Sequence, residues 1–195
     1  MVKKDILIVC ALEQETVGEL EDWDVLYTGV GKVNATLKLT QRLHSSHLHY
    51  LPLMPELVIN YGTAGSRELP IGELVDCTKF IQRDMDVSPL GFQNYETPWG
   101  NRNISFLTTT LNGITCGTGD SFVTNPELPG VDIVDMEAYA IAKVCRDFNI
   151  QFRCFKYISD NADENAGDDW NKFEHEKAES LFIEQLAELT SSNSL

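Results

Sequence analysis

Acidic residues stand where the apolar runs of this chain stop. Glu13-Gln14-Glu15 follows the run from Ile6 to Leu12, Asp135-Met136-Glu137 follows Ile133-Val134, and Ser159-Asp160 closes a run that starts at Phe152. In an α/β protein the ends of strands are where a site is usually built. Each group also has a plain structural use. Glu15 and Glu137 would suit the first turn of a helix, and Asp160 would suit a turn or N-cap.

Other chemistries fail on inspection. Gly29-Val30-Gly31-Lys32 lacks the P-loop pattern, because Leu26 stands at the first glycine position and Val33 where Ser or Thr would hold magnesium. It lacks the dinucleotide fingerprint too, since Asn34 occupies the third glycine position. These glycines read as a tight strand-to-helix turn. His44, His47 and His49 have no carboxylate or cysteine companion at ligand spacing, so they read as a solvated helix end and not as a metal site. No cofactor is implied.

The elements that must position these groups follow from hydrophobic period and punctuation. Strands are expected at 6–12, 25–30, 55–60, 73–83, 104–110, 114–118 and 152–159, with Gly62-Thr63-Ala64-Gly65 as the turn that stops the third. Helices are expected over 32–47, 137–149 and 173–189, loops over 93–102 and around Pro126 and Pro129, and a polar connection over 161–171. Strands interleaved with helices imply an α/β fold, a single domain over residues 1–190 with a mixed, twisted sheet flanked by helices. Residues 191–195 are expected to be a flexible tail.

Composition narrows the partners. A chain of 195 residues with 43% hydrophobic and 23% charged content suits one soluble core. A formal net charge of −15 disfavours a nucleic-acid backbone or an anionic membrane. The five cysteines form no Cys-x-x-Cys pair and lie mostly within apolar runs, as buried free thiols of a reducing compartment do. The N-terminal apolar run is too short for a signal peptide, and a cytoplasmic location is expected.

Taken in order, the motifs resemble the purine nucleoside phosphorylase superfamily, and most closely its hydrolytic branch, the 5′-methylthioadenosine/S-adenosylhomocysteine nucleosidases. The likeness is carried by Ala11-Leu12-Glu13-Gln14-Glu15, Gly29-Val30-Gly31-Lys32-Val33, Asn60-Tyr61-Gly62-Thr63-Ala64-Gly65, Asp84-Met85-Asp86-Val87, Thr118-Gly119-Asp120-Ser121-Phe122, Asp135-Met136-Glu137-Ala138 and Ile158-Ser159-Asp160. It implies a three-layer α/β/α architecture and cleavage of a purine N-glycosidic bond. By resemblance, Asp160 donates a proton to purine N7 and Glu15 activates the attacking water. Glu137 takes the ribose hydroxyls, Met136 covers the sugar, Phe122 stacks on the purine, and the main chain of Val123 reads its edge. Thr63 and Leu12 join the binding set, and Trp170 closes the 5′ side. An acid and a base working at one pH need different environments, so Asp160 is expected to be the more buried.

Hydrolysis is expected over phosphorolysis, because Glu13 and Glu15 would repel phosphate and only Arg67, with Arg83 a weaker second, stands near the glycine turns. A phosphorylase, a hydrolase for another purine nucleoside such as futalosine, and a degenerate nucleoside-binding member are the alternatives. The chain is trimmed relative to this pattern, with Leu12 for Met and Ser66 for Gly. In relatives, residues at the positions of Val87 and Leu90 reach a neighbouring subunit's pocket, which makes a homodimer the expected assembly.

Overall fold

The computed structural model describes residues 3–47, 54–98, 113–123 and 128–191. The expected strand at 104–110 and the loop around Pro126 lie outside the described residues.

Alternation along the two central strands sets the layers. In β1 (Ile6–Cys10), Leu7 and Val9 join one core while Ile6, Ile8 and Cys10 join another. In β3 (Leu57–Gly65), Val58 goes to the first core and Leu57, Ile59 and Tyr61 to the second. Successive strand side chains point to opposite faces, so a strand buried on both sides feeds both cores at once. The first core is covered by α1 (Lys32–His47), through Ala35, Leu39 and Leu43, and by α2 (Ala138–Asp147). The second is covered by α4 (His175–Ser191), through Phe182 and Leu186. This is the three-layer α/β/α arrangement expected.

Among the described residues seven strands form the sheet, in the order β2-β1-β3-β6-β5-β4-β7, with a further pairing between β3 and β7. Besides β1 and β3 these are β2 (Asp24–Tyr27), β4 (Leu74–Gln82), β5 (Ile114–Thr118), β6 (Ile133–Asp135) and β7 (Gln151–Asp160). The β3–β7 pairing joins the last strand back to the third, so five strands close on themselves and β1 and β2 extend one side. β3 and β7 run parallel over their whole lengths. β6 meets β3 in an antiparallel contact at Gly65 and Val134. The ends of β3, β6 and β7 therefore converge.

Several boundaries differ from expectation. β1 stops at Cys10 and a single 3-10 turn, Glu13–Glu15, follows. β3 does not stop at Gly62 but runs on through Gly65, because β7 offers a partner for each residue. The polar connection after β7 contains a short helix, α3 (Ala166–Trp170). Ser191 belongs to α4, and the rest of the expected tail lies outside the described residues. The turn into α1 is as read, with Gly29 and Gly31 at φ 78° and 96°, where a side chain would be strained.

Candidate active site

Glu15 reaches the site from the 3-10 turn after β1. Its Oε2 accepts hydrogen bonds from the backbone N–H groups of Ala11 and Leu12, each at 3.1 Å. Its Oε1 accepts from the Thr63 backbone N–H at 2.9 Å and from the Thr63 hydroxyl at 3.1 Å. Trp170 Nε1 donates to that same hydroxyl at 2.9 Å, so a chain of hydrogen bonds runs from the aromatic ring to the carboxylate. Of the four donors only the Thr63 hydroxyl can rotate away, which would free Oε1 for a water.

Asp160 is aimed by an irregularity in the sheet. Ala64 pairs with Ile158, but Gly65 pairs with Asp160, so Ser159 is an extra residue in β7. A bulge of this kind re-aims a side chain at a strand end. Asp160 Oδ2 accepts from the Ser159 hydroxyl at 2.8 Å and Oδ1 from the Ala162 N–H at 2.9 Å. Burial raises its pKa above the ordinary carboxylate range, against the pull of these two hydrogen bonds. The expectation that Asp160 is more buried than Glu15 is not met: each residue is 5% exposed. Their asymmetry lies in hydrogen bonding, with four donors on Glu15 and two on Asp160.

Glu137 stands just before α2, and its Oε1 accepts from the Gly31 N–H at 2.8 Å. Burial, together with the neighbouring Asp135 carboxylate, pushes its pKa up to about 8. Asp135 is the floor of this region. It accepts from the Thr118 hydroxyl at 2.5 Å and from the Ala138 N–H at 2.8 Å, and pairs with Lys156 at 3.0 Å. Burial opposes its charge, yet Lys156 and these hydrogen bonds hold its pKa below the usual range.

One cavity of about 250 Å³ joins these groups. Glu15, Glu137, Met136, Phe122, Val123, Thr63, Leu12, Trp170 and Asp160 all line it. Val87 and Leu90 do not line it; Leu90 is 64% exposed at the surface. Phe122 is 55% exposed.

Two participants, Lys156 and Asp135, carried no assigned role in the sequence. Lys156 is 2% exposed within β7, between Phe155 and Tyr157, and a lysine amid buried apolar residues signals a paired buried charge. Asp135 is its partner. Arg83, weighed above only as a phosphate ligand, lines the cavity but spends its guanidinium on the Gly119 carbonyl at 3.2 Å and on the Ser121 carbonyl. It thereby holds the segment leading to Phe122. Arg67 is exposed and borders a separate depression beside Leu128–Asp132.

Comparison with known proteins identifies the family. The phosphorylase superfamily model matches residues 107–192. A 5′-methylthioadenosine/S-adenosylhomocysteine nucleosidase of Marinomonas sp. is 30% identical over 199 residues, covering 87% of this chain and 83% of the relative. That of Anoxybacillus flavithermus is 30% identical over 174 residues, covering 76% of this chain and 72% of the relative. Among solved structures, the Helicobacter pylori nucleosidase with a bound pyrrolidine inhibitor superposes with a TM-score of 0.78 at 24% identity, covering 94% of this chain and 97% of that one. The H. pylori futalosine hydrolase superposes at 0.74, also at 24% identity, covering 89% and 91%. At that identity the two structures establish the fold, while the nucleosidases similar over most of both lengths establish more. The chain belongs to the 5′-methylthioadenosine/S-adenosylhomocysteine nucleosidase family of the phosphorylase superfamily.

Proposed function

We propose that this protein hydrolyses the N-glycosidic bond of a purine nucleoside of the methylthioadenosine/S-adenosylhomocysteine type, releasing free base and a ribose derivative. The observation that carries this reading is the placement of two equally buried but differently hydrogen-bonded carboxylates along one strand. Glu15 packs at Gly62 and Asp160 at Gly65, three residues on, which is about 10 Å along an extended strand. Both carboxylates line the one cavity, where a ribosyl group and its attacking water would lie between acid and base, the order of groups in inverting glycoside hydrolases.

In this reading the Asp160 carboxyl, whose pKa burial raises, gives its proton to purine N7 and neutralises the leaving base. Glu15 takes a proton from the water that attacks C1′. Glu137 binds ribose hydroxyls, Met136 covers the sugar, and Phe122 with the Val123 main chain receives the purine. Trp170 closes the 5′ side.

Water is favoured over phosphate because Glu15, Asp135, Glu137 and Asp160 line the cavity against a single arginine among the described residues. The one arginine in the wall, Arg83, is engaged by carbonyl oxygens. Incubation with methylthioadenosine, adenosine and inosine, with and without phosphate, tests this. Phosphate-independent release of base is expected, fastest from methylthioadenosine. Release only with phosphate would overturn the hydrolytic reading, and binding without release would point to a degenerate member.

A homodimer is part of the proposal, supported by the exposed apolar side chains of Val33, Leu37 and Leu90. Val87 and Leu90 would then serve the partner's pocket. A cytoplasmic location is supported by five buried free cysteines. Among the described residues no helix is long and apolar enough to cross a membrane.

A further inference from the structure

A three-residue 3-10 turn is a weak platform for a group that must be held to a fraction of an ångström. Within the Glu13–Glu15 turn the backbone bonds are few: Glu15 N–H to the Leu12 carbonyl at 3.2 Å and Thr16 N–H to the Glu13 carbonyl at 3.1 Å. The segment that follows has neither helix nor strand to satisfy its amides. Two of those amides are satisfied from the far end of the chain. Glu179 Oε2, on α4, accepts from the Val17 N–H at 2.9 Å and from the Glu19 N–H at 3.3 Å. The next residue on the helix, Ser180, donates its hydroxyl to Glu19 Oε1 at 3.2 Å.

Glu179 is unusual for a helix residue. It is 0% exposed, and its Oε1 is buried with no hydrogen-bond partner among the described residues. An incompletely satisfied buried carboxylate is costly, so a sequence selected only for packing would put an apolar side chain there. What the carboxylate supplies is a charge-assisted grip on two amides at once. The same helix braces the other side of the Glu15 carboxylate. Phe182, one turn on, stacks on Tyr61 with ring centres 4.2 Å apart and planes 3° from parallel. Tyr61 immediately precedes Gly62 and Thr63, the residues against which Glu15 Oε1 lies.

We propose that Glu179 is a positioning residue for the general base: a clamp from α4 that fixes the segment leaving the Glu15 turn and so the direction of the Glu15 carboxylate. The proposal rests on the reading of Glu15 as that base. It involves no contact between Glu179 and substrate.

The test compares Glu179→Ala, Glu179→Asp and Glu179→Gln with Glu15→Gln, measuring kcat and KM for methylthioadenosine and the fraction of sites that bind a non-cleavable nucleoside analogue. In Glu179→Ala, kcat per binding-competent site is expected to fall roughly 10- to 100-fold, the scale of a catalytic group displaced by about an ångström, with KM moving less than about threefold. Glu179→Gln keeps an oxygen that can accept from both amides and should stay within about threefold of the parent kcat. Glu179→Asp is one methylene short and should lose kcat as the alanine variant does, though less. Where Glu179→Ala does not fold, the contrast between Asp and Gln carries the test, and equal kcat in those two overturns the proposal. Full kcat per competent site in Glu179→Ala, with Glu15→Gln inactive, also overturns it while leaving the base in place. Full activity in Glu15→Gln removes the base itself, and the clamp with it.

Discussion

Gly62 is the reason the Glu15 carboxylate can lie against the backbone of β3. A Cβ at position 62 would stand 2.8 Å from Glu15 Oε1 and 3.4 Å from Lys156 Nζ. Gly65 plays the same part for Asp160, since a Cβ there would collide with Oδ1 and come within 3.1 Å of the Ala162 Cβ. The Gly-Thr-Ala-Gly segment is thus a strand whose two missing side chains leave room for two carboxylates.

Filling either space should cost turnover more than fold. Gly62→Ala and Gly65→Ala are each expected to lower kcat at least about 100-fold by displacing a carboxylate of the proposed acid–base pair. Overpacking should reduce stability by about 1–3 kcal/mol. Steady-state kinetics beside urea unfolding checks both numbers. Near-parental kcat in both variants would contradict the placement.

Asp160→Asn keeps the shape of the side chain and removes the proton. Turnover is expected to fall by roughly 10²–10⁴, the usual contribution of a general acid. Burial raises the pKa of the Asp160 carboxyl above its ordinary value, so if this group is the acid, kcat/KM of the parent protein should decline on the alkaline side as it ionises. Retention of activity in the asparagine variant would refute the assignment.

Glu137 gives a pH signature in stability. Its pKa is pushed up to about 8 in the fold, whereas an unfolded glutamate titrates near 4.3. Between those values the unfolded chain has lost the proton while the folded one keeps it, so stability falls as pH rises. Glu137→Gln escapes this penalty and can still accept from the Gly31 N–H. Its advantage in urea unfolding should be near zero at pH ~4 and grow to about 1–3 kcal/mol by pH ~8. A difference independent of pH would contradict the raised value.

The Lys156–Asp135 pair should behave as a buried ion pair does. Lys156→Met strands the Asp135 carboxylate and is expected to cost about 3–5 kcal/mol. Replacing both residues with apolar ones should recover much of that loss. Equal stability of the single and double variants would show that the pair is not coupled.

The frame of the fold was legible where one periodicity held without interruption. α1 over Lys32–His47 and β5 over Ile114–Thr118 fall where spacing and punctuation put them. Gly62 misled because glycines inside a strand mimic a turn; only the neighbouring β7 shows that they stay paired. The carboxylates at the strand ends were visible as a pattern, and their order along the chain carried the resemblance. What each carboxylate accepts was not visible. The Ser159 bulge, the Thr63 pair of donors and the Glu179 clamp join residues about 50 to 160 positions apart or depend on register, and neither leaves a local trace.

In the proposed reaction, water activated at Glu15 attacks the anomeric carbon. This step is tested most directly by cleaving methylthioadenosine in phosphate-free buffer made with heavy-oxygen water and weighing the sugar product. The expected result is heavy oxygen at the anomeric position in product weighed at once, before the free aldose exchanges with solvent, and almost no product from Glu15→Gln under the same conditions. Cleavage only on adding phosphate, with the sugar recovered as its phosphate ester, would contradict it.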